Sequence, residues 1–153
     1  MTDVVDPKTR SQMMSGIRGK DTKPEMTVRR ALFAAGFRFR LHRRDLPGAP
    51  DVVLPGSRVA VFVHGCFWHR HMACGLAKLP ATNAEFWRTK LEDNVKRDKR
   101  AVVALRKAGW RVLVVWECAT RGKAAEGLTL QLSEWIEGPA PFGEIPESVQ
   151  MKT

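Results

Sequence analysis

The chain has 153 residues and a mass of 17.2 kDa, which favours a single compact domain with its own core over a two-domain enzyme. Apolar residues make up 44% of the chain, and no apolar run approaches the roughly 18 residues of a membrane span, so we expect a soluble protein. A net charge of +10 and an isoelectric point near 10.2 favour a polyanionic partner, above all nucleic acid.

The basic residues are concentrated in two segments. Residues 1–44 carry 11 basic and 4 acidic side chains, and residues 88–111 carry 9 and 3. Between them, residues 45–87 are balanced at 3 and 3, whereas residues 112–153 are acidic, with 3 against 6. Such segments can simply be solvated helix faces, so the chemistry of the neutral centre must decide whether they bind nucleic acid.

The first 20 residues are predicted to form an N-terminal arm or short helix that is loosely held when no partner is bound. They are polar and basic, with Met13 and Met14 adjacent. They lack the basic and then apolar pattern of a signal peptide, so the cytoplasm is the expected compartment.

The first regular elements are a helix over about 23–35 and a strand over about 37–43. Thr22 and Glu25 have the spacing of a capping box, and Gly36 is placed to end the helix. Apolar and cationic residues then alternate, which is typical of a half-exposed strand with a basic face.

The rest of the chain continues with strands and helices around one irregular segment. We predict a β-hairpin with strands at 52–54 and 58–63, a loop at 65–81, a long helix from a second capping box at Thr82–Glu85 to about Ala108, a buried strand at 110–116, a helix at 128–136 and a poorly ordered tail at 139–153. The order α-β-β-β-α-β predicts an α/β domain over 21–138 with a mixed sheet flanked by helices.

One carboxylate interrupts the apolar stripe of the long helix. Leu91, Val95, Asp98, Val102 and Leu105 follow one another at helical spacing. A buried, unpaired carboxylate is costly, so Asp98 either reaches solvent or an Arg at the edge of the stripe, or belongs to a site containing His, Lys, Arg or a metal ion.

Histidine and cysteine cluster in residues 64–74. This segment contains His64, Cys66, His69, His71 and Cys74. In a cytosolic protein the cysteines should be thiols, and their combination with histidine predicts a structural zinc site with Cys118 as a further ligand. The sequence leaves the choice between His69 and His71 open, and ordinary buried cysteines are the alternative.

Asp51 and His64 are predicted to lie near one end of the sheet, because Asp51 opens one strand of the hairpin and His64 closes the other. An Asp at this point is often only a turn residue. With Asp98 and a second His nearby, however, these groups could bind Mg²⁺ and deprotonate water at a phosphodiester, so a nuclease is the natural inference.

Two aromatic pairs, Phe67-Trp68 and Phe86-Trp87, flank the predicted site. Aromatic side chains usually belong to a core. On a cationic surface, however, they can insert between bases.

Several motifs together resemble the very-short-patch repair endonucleases across about residues 10–120. They are His64-Gly65-Cys66-Phe67-Trp68-His69, Pro80-Ala81-Thr82, Glu85-Phe86-Trp87, Asn94-Val95-Lys96-Arg97-Asp98 and the segment from Gly109 to Cys118. The resemblance implies a type II restriction-endonuclease-like fold with a zinc-pinned loop. It also implies nicking of double-stranded DNA on the 5′ side of the mispaired T in a T·G mismatch left by deamination of 5-methylcytosine.

The resemblance also implies roles for individual residues. In the catalytic site, Asp51 and the main-chain carbonyl of Val63 would bind Mg²⁺, His69 would be a general base oriented by Asp98, His64 would assist at the phosphate, and Glu25 would lie near the metal-bound waters. Zinc would be bound by Cys66, His71, Cys74 and Cys118. Phe67, Trp68 and Trp87 would wedge into the duplex from one groove and Met14 from the other.

Two other functions remain possible at this point. One is a restriction-type or structure-specific nickase without mismatch selectivity, and the other is a non-catalytic, zinc-stabilised DNA-binding module. For the enzyme we expect a monomer, since a single asymmetric nick asks for one subunit, with other mismatch-repair proteins as possible partners and no membrane association.

Overall fold

The computed structural model describes residues 22–69, 71, 74 and 79–146. The predicted N-terminal arm over 1–20, including Met14, lies outside these residues. The described elements are α1 (Lys23–Ala34), β1 (Arg40–Leu41), β2 (Val52–Leu54), β3 (Val59–His64), α2 (Ala84–Lys107), β4 (Arg111–Trp116), a 3-10 turn (Glu117–Thr120), α3 (Gly122–Glu126), α4 (Leu128–Glu137) and β5 (Phe142–Ile145).

The five strands form one mixed sheet in the order β1-β2-β3-β4-β5. The first three strands pair antiparallel, and β4 and β5 are each parallel to the preceding strand in this order. The predicted α-β-β-β-α-β order and mixed sheet are confirmed.

Both faces of the central strands are buried, which explains why they are apolar at nearly every position. Val59 and Val61 of β3 face a core that also contains α1 and α4, whereas Ala60 and Phe62 face a second core that contains Leu105 of α2. Because side chains alternate along a strand, the sheet separates two helical layers.

The first helix begins as predicted, but the second does not. Thr22 caps α1 by accepting a hydrogen bond from the Glu25 amide at 3.3 Å. The predicted capping box at Thr82 and Glu85 is wrong: Asn83 is the residue before α2, with a left-handed φ of 57°, and it makes no side-chain capping bond.

The first strand is shorter than predicted. Only residues 40–41 pair in the sheet, although Phe37 and Phe39 do pack against the core as their alternation predicts. The strand ends because His42 takes a left-handed φ of 50°.

The prediction of a poorly ordered tail over 139–153 is wrong for residues 142–145, which form β5. The free edge of β4 accepts this strand, and Val112 donates to the Pro141 carbonyl at 3.0 Å. The guanidinium of Arg111 also donates to several carbonyls at the end of α4 and in the turn before β5, those of Trp135, Ile136, Gly138 and Ala140. Main-chain contacts of this kind leave no pattern in the sequence.

Within the described part of the chain, no helix combines the length and the apolar character that crossing a membrane requires.

Leu113 lies at the centre of β4 and is fully buried. Leu113→Ala should lower the free energy of unfolding by about 2–5 kcal/mol, because it removes buried methyl groups and leaves a cavity. Urea unfolding measures this change. Leu130→Ala, the same substitution at a side chain that is 64% exposed, is the matched control and should change stability by less than about 0.5 kcal/mol. Equal losses in the two variants would contradict the described core.

Candidate active site

An open pocket of about 810 Å³ lies where β2, β3 and α2 meet. Its lining includes all five residues predicted for the catalytic site: Glu25, Asp51, His64, His69 and Asp98. The sheet supplies Asp51 and His64, helices supply Glu25 and Asp98, and the turn after β3 supplies His69. The fold therefore gathers groups that span more than 70 residues of sequence.

A hydrogen bond joins Asp98 on α2 to His69 in the turn after β3. The Asp98 Oδ2 to His69 Nδ1 distance is 2.6 Å, and each side chain is about one quarter exposed. This contact explains the carboxylate in the stripe of α2, since the imidazole satisfies a group that would otherwise be costly to bury. Nε2 is the imidazole nitrogen left for other chemistry.

His64 stacks on His69, with ring centroids 3.8 Å apart and planes at 5°. Burial, and secondarily the proximity of His69, hold the pKa of His64 well below its ordinary value. Burial therefore favours the neutral form of His64.

Asp51 precedes β2 and reaches across to β3. Its Oδ2 accepts a hydrogen bond from the Val63 main-chain N–H at 2.8 Å. The pKa of Asp51 is raised to about 7, chiefly by desolvation and to a smaller extent by the Glu25 carboxylate, against the lowering effect of the Val63 bond.

The turn before Asp51 depends on a glycine. Gly48 has a φ of 75°, and a Cβ at this position would lie 2.5 Å from the Cβ of Ala101 on α2. The turn can therefore approach the helix, and so bring Asp51 to the pocket, only without a side chain here.

Glu25 is almost fully buried and is held by two residues that sequence reasoning did not single out. Its Oε2 contacts an Arg29 amino group and lies 2.7 Å from His42 Nε2. The i,i+4 spacing of Glu25 and Arg29 in the sequence indicates an ion pair on the helix. His42 is the one histidine of the sequence outside the 64–71 cluster, and no motif around it indicates a role.

These acidic residues could hold a divalent cation. Glu25, His42 and Asp51 offer donor atoms that all lie within 4.8 Å of one another. Two carboxylates in a desolvated site repel each other, as the raised pKa of Asp51 reflects, and a bound cation would relieve that repulsion. The two carboxylates therefore suit a metal ion that prefers oxygen ligands, whereas His42 Nε2, 2.7 Å from Glu25, is a hydrogen-bond partner of that carboxylate.

Three thiols and one imidazole form a second, separate cluster. Donor atoms of Cys66, His71, Cys74 and Cys118 lie within 4.8 Å of one another. His71 Nδ1 is 3.5 Å from the sulfurs of both Cys66 and Cys118. With zinc bonds of about 2.3 Å to sulfur and 2.0–2.1 Å to nitrogen, a tetrahedral site has S to N edges of about 3.5 Å, so these residues fit zinc.

The surroundings of this cluster separate His71 from His69. His71 stacks on Trp116, with centroids 4.1 Å apart, whereas His69 faces Asp98. Burial raises the pKa of the Cys66 and Cys118 thiols, which is the effect a metal ion would reverse by binding thiolate. The structure thus separates the two histidines that the sequence left as alternatives.

A group of aromatic side chains lies beside the pocket, with Phe67 and Trp68 in its lining. Phe67, Trp68 and Trp87 contact one another edge to face at centroid distances of 5.2–5.9 Å. Phe86 extends the group against Trp87 and is 60% exposed. All three predicted wedge residues are only partly buried, so this group is neither a closed core nor free in solvent.

Comparison with known proteins identifies the family. Residues 2–75 match the sequence profile described as DNA mismatch endonuclease Vsr. The chain is 46% identical to DNA mismatch endonuclease Vsr of Escherichia coli (strain K12) over 148 residues, covering 95% of this chain and 94% of that protein. This chain belongs to the Vsr family.

Two nicking enzymes are similar as well. The type II nicking enzyme V.XorIIP of Xanthomonas oryzae pv. oryzae is 50% identical over 118 residues, which cover 77% of this chain and 86% of that enzyme. The type II nicking enzyme V.NmeAIP of Neisseria meningitidis serogroup A is 43% identical over 124 residues, covering 81% and 88%. These relatives confirm the predicted family and enzyme class: the protein is a DNA endonuclease.

The raised pKa of Asp51 predicts a pH effect on the stability of the metal-free Vsr-family protein. The unfolded chain loses this proton near pH 3.8, whereas the folded protein retains it up to about pH 7. The folded state then binds more protons, so the Asp51 contribution to the free energy of unfolding falls as pH rises from about 4 to about 7. In Asp51→Asn this contribution is absent.

Urea unfolding of both proteins across this pH range measures the effect. The stability of Asp51→Asn relative to the unchanged protein should increase with pH, by at most about 1.4 kcal/mol per pH unit. Saturation with a divalent cation should reduce the trend, because a cation favours the ionised carboxylate. Parallel pH profiles in metal-free buffer would contradict the assigned environment of Asp51.

Proposed function

We propose that this Vsr-family endonuclease is a Mg²⁺-dependent nickase that recognises T·G mismatches arising from 5-methylcytosine deamination and cuts 5′ of the mispaired T. The observation that carries the proposal is the 2.6 Å contact between His69 and Asp98 in the same pocket as Asp51. The candidate base His69, its orienting carboxylate Asp98 and the candidate metal ligand Asp51 would then all reach a phosphodiester bound in this pocket. The relatives, a mismatch endonuclease and nicking enzymes, support the choice of substrate and product.

His69 is the proposed general base. Its Nδ1–H donates to the Asp98 carboxylate, which leaves the Nε2 lone pair to accept a proton from the attacking water. Asp98 then stabilises the imidazolium and keeps the ring in the orientation that proton transfer requires.

His64 is proposed to assist at the phosphate as a neutral imidazole. Because it stacks on His69, a second positive charge would be repelled once His69 has taken the proton. A buried, neutral His64 can still hydrogen-bond a phosphate oxygen and fix its position.

Asp51 and Glu25 are proposed to hold the catalytic cation. Asp51 would bind Mg²⁺ together with the main-chain carbonyl of Val63, while Glu25 would accept hydrogen bonds from metal-bound water. When bound, Mg²⁺ supplies positive charge that neutralises the phosphate and the developing negative charge. Val63 has no side-chain oxygen, so its main chain alone can contribute; its N–H already orients Asp51.

Zinc is proposed to be structural, bound by Cys66, His71, Cys74 and Cys118. A closed set of four protein ligands leaves no position for substrate. By joining the turn after β3 to the residues after β4, the zinc would hold the segment that carries His69.

DNA contact is proposed for the aromatic group and for the two basic segments, residues 1–44 and 88–111. Phe67 and Trp68 line the pocket and Trp87 contacts both, and these three side chains would wedge between bases at the mismatch. Met14, outside the described residues, would enter from the opposite groove. A monomer is sufficient for one asymmetric nick.

Strand-specific cleavage of paired duplexes tests this function. T·G and T·A duplexes of the same sequence are incubated with and without Mg²⁺, and each strand is labelled separately. We expect Mg²⁺-dependent cutting of the T strand in the T·G duplex only, because unstacking costs least at a mispair. Equal cleavage of both duplexes would instead favour a nickase without mismatch selectivity.

The variant His69→Ala tests the mechanism in the same assay. It should lower the nicking rate by about 10²- to 10⁴-fold, the usual contribution of a general base, with little change in DNA affinity. Leu130→Ala, at an exposed side chain of α4 outside the pocket lining, is the control and should retain the rate. A near-normal rate for His69→Ala would remove His69 from the mechanism.

Zinc removal should loosen the thiol cluster and lower the melting temperature. The free energy of binding such a metal is part of the folding free energy, and each kcal/mol lost lowers the melting temperature of a domain this size by about 2–4 °C. Metal analysis should find one zinc per chain, which Cys118→Ser should reduce. Zinc-free protein with an unchanged melting temperature would contradict a structural role.

A further inference from the structure

Glu25 is held by two partners that come from different parts of the fold. It is 2% exposed, and its Oε2 contacts Arg29, one turn along the same helix, and His42 Nε2 at 2.7 Å. A carboxylate oxygen only accepts hydrogen bonds, so His42 Nε2 carries the proton that it donates.

His42 is also bound to Asp51 through its main chain. Its N–H donates to the Asp51 carbonyl at 3.0 Å, which extends the β1–β2 ladder by one residue. The left-handed φ of 50° at His42 ends β1 at this bond. One residue therefore contacts both acidic residues, Asp51 by its main chain and Glu25 by its side chain.

The two partners of Glu25 do different work. Arg29 supplies a positive charge from α1 itself, one turn from Glu25, and one of its amino groups also lies 3.4 Å from His42 Nε2. His42 belongs to the sheet edge, so its hydrogen bond joins the Glu25 carboxylate to the sheet beside Asp51.

We propose that His42 is a positioning residue that sets the separation of Glu25 and Asp51 and, through it, the affinity of the pocket for its divalent cation. The inference rests on the proposed Mg²⁺ site at Asp51. His42 is absent from the pocket lining and needs no contact with DNA or with the ion. Residues that orient metal-binding groups in this way commonly change metal affinity or activity by about 10- to 100-fold when they are substituted.

Two polar variants that differ by one methylene group test the proposal. In His42→Gln the side-chain amide reaches the position of Nε2 and can donate to Glu25, whereas in His42→Asn it ends near the position of Nδ1 and cannot. Asn accepts the left-handed backbone conformation readily, so H42N should fold and keep the main-chain bond to Asp51. Melting temperatures in metal-free buffer check that both variants are folded.

Two measurements report the affinity of the protein for the cation. The half-saturating Mg²⁺ concentration is measured in the nicking assay, and Mn²⁺ binding to the protein without DNA is measured by loss of the free-ion electron paramagnetic resonance signal. H42N should raise the half-saturating Mg²⁺ concentration and the Mn²⁺ dissociation constant by about tenfold. H42Q should remain close to the unchanged protein, and the DNA affinity of both variants should stay the same.

Asp45→Asn is the control for loss of polarity in the same loop, since Asp45 is exposed and pairs only with Arg43 among the contacts described for it. It should leave both metal readouts unchanged. If H42N, H42Q and the unchanged protein share one Mg²⁺ dependence and one Mn²⁺ affinity, the inference is overturned while the proposed function stands. If H42Q is as impaired as H42N, the hydrogen bond to Glu25 is not what matters, and the inference also fails.

Failure of the proposed function gives a different result. If the mismatch selectivity is wrong, the unchanged protein nicks T·G and T·A duplexes equally, and if the Mg²⁺ dependence is wrong, it shows no Mg²⁺-dependent nicking. The Mn²⁺ comparison of H42N with H42Q then still decides the role of His42 at the cation site.

Discussion

The hydrogen bond between Asp98 and His69 is the interaction on which the rest of the site depends. It places a carboxylate inside the apolar stripe of α2, a cost that the fold accepts only because an imidazole lies 2.6 Å away. That imidazole comes from the turn after β3, where the main-chain N–H of His69 donates to the Gly65 carbonyl. The helix carboxylate therefore orients the turn, and the turn supplies a hydrogen-bond partner to a carboxylate that is only about one quarter exposed.

The strand directions of the mixed sheet explain how the site residues come together. Because β2 and β3 are antiparallel, the start of one lies beside the end of the other, so Asp51 meets Val63 and His64. The parallel pairing of β3 with β4 brings the ends of both strands together, which places Cys118 beside Cys66 and His71. The acidic site and the thiol cluster thus lie on either side of one turn.

Much of this arrangement could be predicted from particular residues. The apolar runs in β2, β3 and β4 predicted buried strands, the Thr22 cap was read correctly, and the misfit at Asp98 predicted a partner. The motifs around His64 and Asp98 also identified the family and the class of enzyme. The errors fall where main-chain geometry decides, at the left-handed Asn83 before α2 and at β5, whose contacts come from carbonyls and a free strand edge.

The sequence by itself determined the order of elements, the family and the chemical groups available, because periodicity, charge and motif spacing are written along the chain. Only the tertiary structure decided which group meets which. It assigned His69 to Asp98 and His71 to the thiols, and it brought His42 to Glu25 and Asp51, because distances across a sheet depend on strand register and helix docking. Strand register and helix docking bring together residues that lie far apart in the chain, so the sequence does not show them.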